Sequence, residues 1–235
     1  KVMKYIKLIL LSIFFLASLH TNGQYFGRNQ VHYKKFDFKI LETPHFEIYN
    51  YLEDSLPKNR FGELAEQWYH RHQAIFSDTI GDFNPIVLYN NHEDFQQNTI
   101  SSSIMGRGTG GFTEGLRTRV VMPVSPSNRE TDHVLGHEMV HVFQYRMFKN
   151  DSSLNLSMTG NVPLWMIEGL AEYMSIGRID HQTAMMMRDA VLHDDLPTFE
   201  DLTKEPNKYF PYRYGHAAWT FLTGMWGDGV IKPLL

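Results

Sequence analysis

Apolar residues change their period part-way along this 235-residue chain. Early on they alternate. Phe36, Phe38 and Ile40, then Phe46 and Ile48, are spaced by two on either side of Pro44, so 36–51 predicts two short strands broken at the proline. Leu64, Trp68 and Ile75 fall at helical spacing and predict a helix over 58–76. A compact apolar run at 85–89 suits a buried strand, 92–98 a short helix and 118–123 another strand. Beyond residue 126 the spacing is mostly helical. Val134, Val140, Val142 and Phe143 lie all round one predicted helix, which marks it as buried. Residues 163–173 predict a second, with Pro163 at its first helical position, where the missing N–H costs nothing. Residues 184–188 continue a helix whose three methionines read as core filler. An aromatic stretch at 209–219 leads into a last helix. Strands first and helices after give an α+β class. A small mixed sheet is expected in an N-terminal part, 24–125, and a mostly helical part, 126–235, completes the same domain.

The candidate chemistry lies on the first buried helix. His137-Glu138-Met139-Val140-His141 spells H-E-x-x-H. Residues four apart share a helix face, so both imidazoles can aim at one metal ion. Glu138, about 100° round the helix, is placed to take a proton from a water held by that ion. A short motif also arises by chance in a chain with 12 His and 26 Asp plus Glu, and the bland reading is a helix with two satisfied core histidines. Context favours the metal. Ser127 and Glu130 have the spacing of a capping box just upstream, and Gly136 allows close packing beside His137. His133, one turn earlier, could shift the pair to His133 and His137, but no glutamate then stands in the base position.

Two carboxylates, Glu168 and Glu172, lie four apart inside the second apolar helix. Buried carboxylates are rare unless paired or bound to metal. A catalytic zinc takes three protein ligands and keeps one position open, so one of these glutamates would complete the set. With both stretches in view, H-E-x-x-H followed by W-x-x-E-G-x-A-E-Y resembles the gluzincin metallopeptidases, the clan of thermolysin and the zinc aminopeptidases. The 26 residues between His141 and Glu168, lengthened by a polar loop at 150–157, move the likeness toward the looser peptidase-MA-like domains of secreted bacterial proteins. That resemblance implies a zincin-like fold whose sheet carries an edge strand on the H-E-x-x-H helix. It implies Zn²⁺ held by His137, His141 and Glu168, with Glu172 orienting the first histidine. It also implies hydrolysis of peptide bonds with Glu138 as general base. Tyr212, three residues before Gly215, matches a tyrosine that donates to the developing oxyanion, with Tyr214 and His216 as rivals and plain core packing as the bland alternative. Gly110, Gly111 and Phe112, with 118–122, are the expected substrate-facing segment, unless they form an ordinary glycine-rich hairpin.

Composition bounds the rest. Residues 1–23 read as a secretory signal: Lys4 and Lys7, an apolar core at 8–17, then Thr21-Asn22-Gly23. An exported protein is expected, with a single N-terminal anchor as the alternative and no stable membrane span once the signal is cleaved. Net charge is −4 with no basic patch, which argues against nucleic acid as a partner. There is no cysteine, hence no disulfide, thiolate chemistry or lipid-anchored cysteine. The glycines of 101–117 lack the G-K-[ST] of a phosphate loop. The expected partner is a peptide or protein substrate, and the resemblance implies a C-terminal β-propeller in a longer chain. Two other readings stay open. One is a non-catalytic, metal-containing scaffold module of a larger envelope protein. The other is a zinc amidase acting on cell-wall material.

Overall fold

The computed structural model describes residues 33–81, 83–101, 105–115, 117–148 and 162–235. The signal expected at 1–23, residues 24–32 and the polar loop at 150–157 lie outside the described residues. Residues 35–235 form one compact unit, and it is α+β. Its elements in chain order are β1 (Lys39–Glu42), β2 (Phe46–Asn50), α1 (Ser55–Phe76), β3 (Asn84–Tyr89), α2 (His92–Phe95), β4 (Phe112–Glu114), β5 (Arg119–Pro123), α3 (Asn128–Met147), α4 (Leu164–Ile176), α5 (His181–Leu192), α6 (Phe199–Lys204), α7 (Pro211–Trp226) and α8 (Ile231–Leu234).

The five strands run in the order β1-β2-β3-β5-β4. β2, β3 and β5 are mutually parallel, and the two outer strands are antiparallel to their neighbours. Register explains which residues meet. Ile48 pairs with Ile86 and Ile86 with Val120, so one apolar row crosses the sheet. That face packs on Trp68 of α1 and on Leu135, Met139 and Phe143 of α3. Each such side chain, fully buried, contributes about 2 kcal/mol. Tyr49, Val87 and Val121 turn to the other face, where Phe36, Phe38, Tyr51, Phe95 and Phe112 cover them. Both faces of the parallel core are therefore shielded, as parallel strands require. Among the described residues no helix is long and apolar enough to cross a membrane.

Four expectations need correction. Residues 118–122 are not the edge: β5 lies between β3 and β4, and the edge beside it is the three-residue β4. Ser127 sits at the α3 N-cap but makes no side-chain cap bond, so the capping box is absent. Thr131 ties down that end instead, its hydroxyl accepting from Ser125 N–H at 3.0 Å. Pro163 is the N-cap of α4 rather than its first helical residue. Met185 is 57% exposed, so the methionine run is not core.

Candidate metal centre

α3 is packed closely against α1. A Cβ on Gly136 would fall 2.7 Å from the Trp68 ring, so only glycine lets α1 lie this close. Trp68 Nε1 donates to Asp132 at 2.8 Å, and the His72 ring meets the Gly136 carbonyl at 2.9 Å. His137, Glu138 and His141 are each buried on the next turn and a half.

α4 brings Glu168 against them. His137 Nε2 lies 3.2 Å from Glu168 Oε2, His141 Nε2 lies 3.3 Å from the same oxygen, and the two Nε2 atoms are 3.2 Å apart. Three donor-type atoms thus form a nearly equilateral triangle. The far side of each ring fixes its tautomer. His137 Nδ1 faces Glu172 Oε1 at 3.1 Å, and His141 Nδ1 faces Gln144 Oε1 at 2.8 Å. Carboxylate and amide oxygens accept only, so both Nδ1 atoms carry a hydrogen and both Nε2 atoms are turned into the triangle. Two imidazole nitrogens and a carboxylate oxygen converging in a buried place need a proton or a metal cation between them. A tetrahedral zinc with bonds of about 2.0–2.1 Å would need ligand-to-ligand edges of about 3.3–3.4 Å. The donor set and its spacing fit that ion.

Electrostatics point the same way. Burial alone would depress the His137 imidazole, but Glu168, Glu172 and Glu138 raise it to about 10. Burial likewise opposes ionisation of Glu168, yet the two imidazoles hold it far below the usual carboxylate range. The site draws positive charge.

Residues 112–187 match the family model BSP, "Peptidase of plants and bacteria". The match supports a peptidase-like domain. The match starts at β4 and runs through α3 and α4 into α5, and so takes in His137, Glu138, His141, Glu168 and Glu172. No curated protein and no solved structure matches the chain.

Around the triangle the expected residues divide. Glu172 is buried and bridges His137 to Arg213, which reaches its Oε2 at 2.8 Å. Tyr212 stacks on the His137 ring, centroids 5.8 Å apart. Burial, then the charge of Glu168, push its phenol upward, so it stays a donor. Tyr214 packs against Tyr209, and His216 meets the Gly177 carbonyl at 2.7 Å; neither rival is at the triangle. Gly110 and Gly111 lie over α3, where an added Cβ would meet Val134 at 2.9 and 3.1 Å. The Phe112 ring turns to the opposite sheet face and packs on Phe95 at 5.9 Å.

Four residues at the site were missed in the sequence. Thr113, on β4, donates to Glu138 Oε2 at 2.8 Å. Gln144 holds His141 and also donates to the Ile167 carbonyl at 3.1 Å, tying α3 to α4. Its signal was legible, three residues after the second histidine. Arg213 reaches both Glu172 and Asp180. Tyr145 stacks near His141, its phenol raised to about 12 by burial and then by Glu168 and Glu138. Two other His and Glu groupings are weaker. His133 only shares Glu172 with His137. His45 Nδ1 lies 2.7 Å from Glu66, which also accepts from Thr43. That separation is a hydrogen bond, too short for two ligands of one ion, so Glu66 is a clamp on the β1–β2 turn.

Proposed function

We propose that this chain is a zinc-dependent peptidase. The observation that carries the reading is the buried triangle of two imidazole nitrogens and one carboxylate oxygen with edges of 3.2–3.3 Å, and the family match supports a peptidase. His137, His141 and Glu168 would hold the ion. When bound, zinc makes a water acidic near neutral pH and polarises a carbonyl. Glu138 takes the proton of the attacking water and returns it to the leaving amine. Thr113 holds one Glu138 oxygen by its hydroxyl, so the other is oriented for that transfer. Tyr212, kept protonated, donates to the oxyanion that forms at the substrate carbonyl. Glu172 and Gln144 keep the hydrogen on the Nδ1 atoms, which leaves the Nε2 lone pairs for the metal.

The test is Glu138→Gln with zinc analysis beside a peptide digest. The variant is expected to keep one zinc per chain and to lose at least about a hundredfold in kcat. A variant as active as the parent sinks the assignment of the base. A parent that binds zinc and cleaves cell-wall amides but no peptide sinks the peptidase reading, and one that cleaves neither returns it to a scaffold role.

A further inference from the structure

A cavity of about 510 Å³ opens beside the triangle, toward the N-terminal end of α3. Its lining along the helix is Glu130, His133, Val134, His137 and Glu138, and Gly110, Gly111, Phe210 and Tyr212 also border it. Val134 and Glu130 are one and two turns before His137, so the three share a face and Glu130 lies about 10 Å up the axis. Val134 and Phe210 lay an apolar strip along the cavity, His133 beside them is turned to Glu172 at 3.5 Å, and the far end is acidic. Glu130 is exposed and makes no ion pair or hydrogen bond among the described residues. Arg213, the cation in the lining, is committed to Glu172 at 2.8 Å and Asp180 at 3.3 Å. Arg129 faces the neighbouring cavities instead. Glu130, Glu138, Glu168, Glu172 and Asp180 outnumber Arg213 even with a divalent ion added, so the region is net negative.

We propose that this cavity is a substrate side-chain pocket for lysine or arginine, with Glu130 as the partner of the cationic head. The inference rests on the peptidase reading above. A long basic side chain has the matching form: an apolar stem to lie along Val134 and Phe210, and a charged tip that stays near water. An acidic side chain there meets like charge. The scissile bond would sit at the triangle itself, two helical turns from Glu130, so the pocket would read the side chain of a residue beside that bond.

The experiment uses zinc-loaded full chain and quenched peptides that differ only in Lys, Gln or Glu at the positions flanking the cleaved bond. The expected kcat/KM order is Lys, then Gln, then Glu, with Lys over Gln by about fivefold, the scale of a solvent-exposed ion pair. Glu130→Lys is expected to reverse that order and Glu130→Gln to flatten it. Binding is read separately by fluorescence anisotropy in zinc-loaded Glu138→Gln, where the lysine peptide is expected to bind more tightly than the glutamate peptide. Cleavage indifferent to charge, or an order unchanged in Glu130→Lys, overturns the pocket and leaves the peptidase reading standing. A zinc-loaded parent that cleaves no peptide overturns both.

Discussion

The Thr113 hydroxyl has one proton and two acceptors near it, Glu138 Oε2 at 2.8 Å and the Glu138 carbonyl at 3.0 Å. The carboxylate is nearer and charged, so it takes the bond. A hydrogen bond to a charged group is worth about 1.5–3 kcal/mol, and here it fixes an orientation that proton transfer depends on. Thr113→Val keeps the shape and removes the donor; kcat is expected to fall about tenfold, while zinc content and KM stay close to the parent. Thr113→Ser restores the donor and is expected to stay within about threefold. Steady-state kinetics on the three proteins decide it, and a valine variant with full kcat refutes the role. The difference between Thr113 and Glu138 also shows what a sequence can disclose at this scale. His137, Glu138 and His141 are legible because a helix converts a spacing of four into one face. Gln144 obeys the same rule at a spacing of three. Thr113 is 25 residues from its partner, and its position depends on strand register, which no local pattern carries.

Element by element, the centre depends on how closely α4 and α7 cross. A Cβ on Gly169 would fall 2.3 Å from the Gly215 backbone, and one on Gly215 would fall 2.3 Å from the Trp165 carbonyl oxygen. Trp219 Nε1 donates to the Met166 carbonyl at 2.9 Å across the same contact. Glu168 and Tyr212 lie near these glycines, which gives their spacing a physical reason: two backbones in contact bring a carboxylate and a phenol to one place. Gly215→Ala is expected to destabilise the protein by about 3 kcal/mol, since overpacking against backbone has no side chain to yield. Gly224, in the same helix, has nothing within 4 Å of an added Cβ, so Gly224→Ala is expected to be neutral or to stabilise by up to about 1 kcal/mol. Urea melts of the pair test this, and equal midpoints refute it. Helices α1, α3, α4 and α7 were readable from period, and α6 and α8 were not. Nor was β4: three residues, Phe112 to Glu114, are too few for alternation to register, and the resemblance puts the edge at 118–122 instead. Strand order is decided by long-range pairing, so the parallel β3–β5 contact displaced β5 into the sheet interior.

On the scale of the whole molecule, acid is expected to act through a residue that the chemistry does not use. His72 is fully buried between α1 and α3, bonded at Nε2 to the Gly136 carbonyl, and its Nδ1 has no partner. Burial pushes its pKa down from 6.5 to about 4, against the small lift from Gly136. Above pH 6.5 the ring is neutral folded or unfolded, and the full stability is present. Below it the unfolded chain takes up a proton that the folded chain refuses, so stability falls with pH by up to about 1.4 kcal/mol per unit. The loss reaches about 3 kcal/mol near pH 4, where the folded ring also protonates. Carboxylates such as Glu66 and Asp180, lowered by their own partners against burial, add to the slope in the same direction. A comparison therefore has to isolate the histidine. His72→Gln retains a donor for Gly136 and cannot titrate. Urea unfolding of both proteins at several pH values between 4.5 and 7.5 is expected to give curves that converge as pH falls, the parent losing about 2 kcal/mol more than the variant over that range. Parallel curves would mean that His72 does not set the acid limit of the fold. The added proton would sit on an unpartnered Nδ1 in an apolar interior, so charging His72 favours opening of the α1–α3 contact beside which the triangle stands.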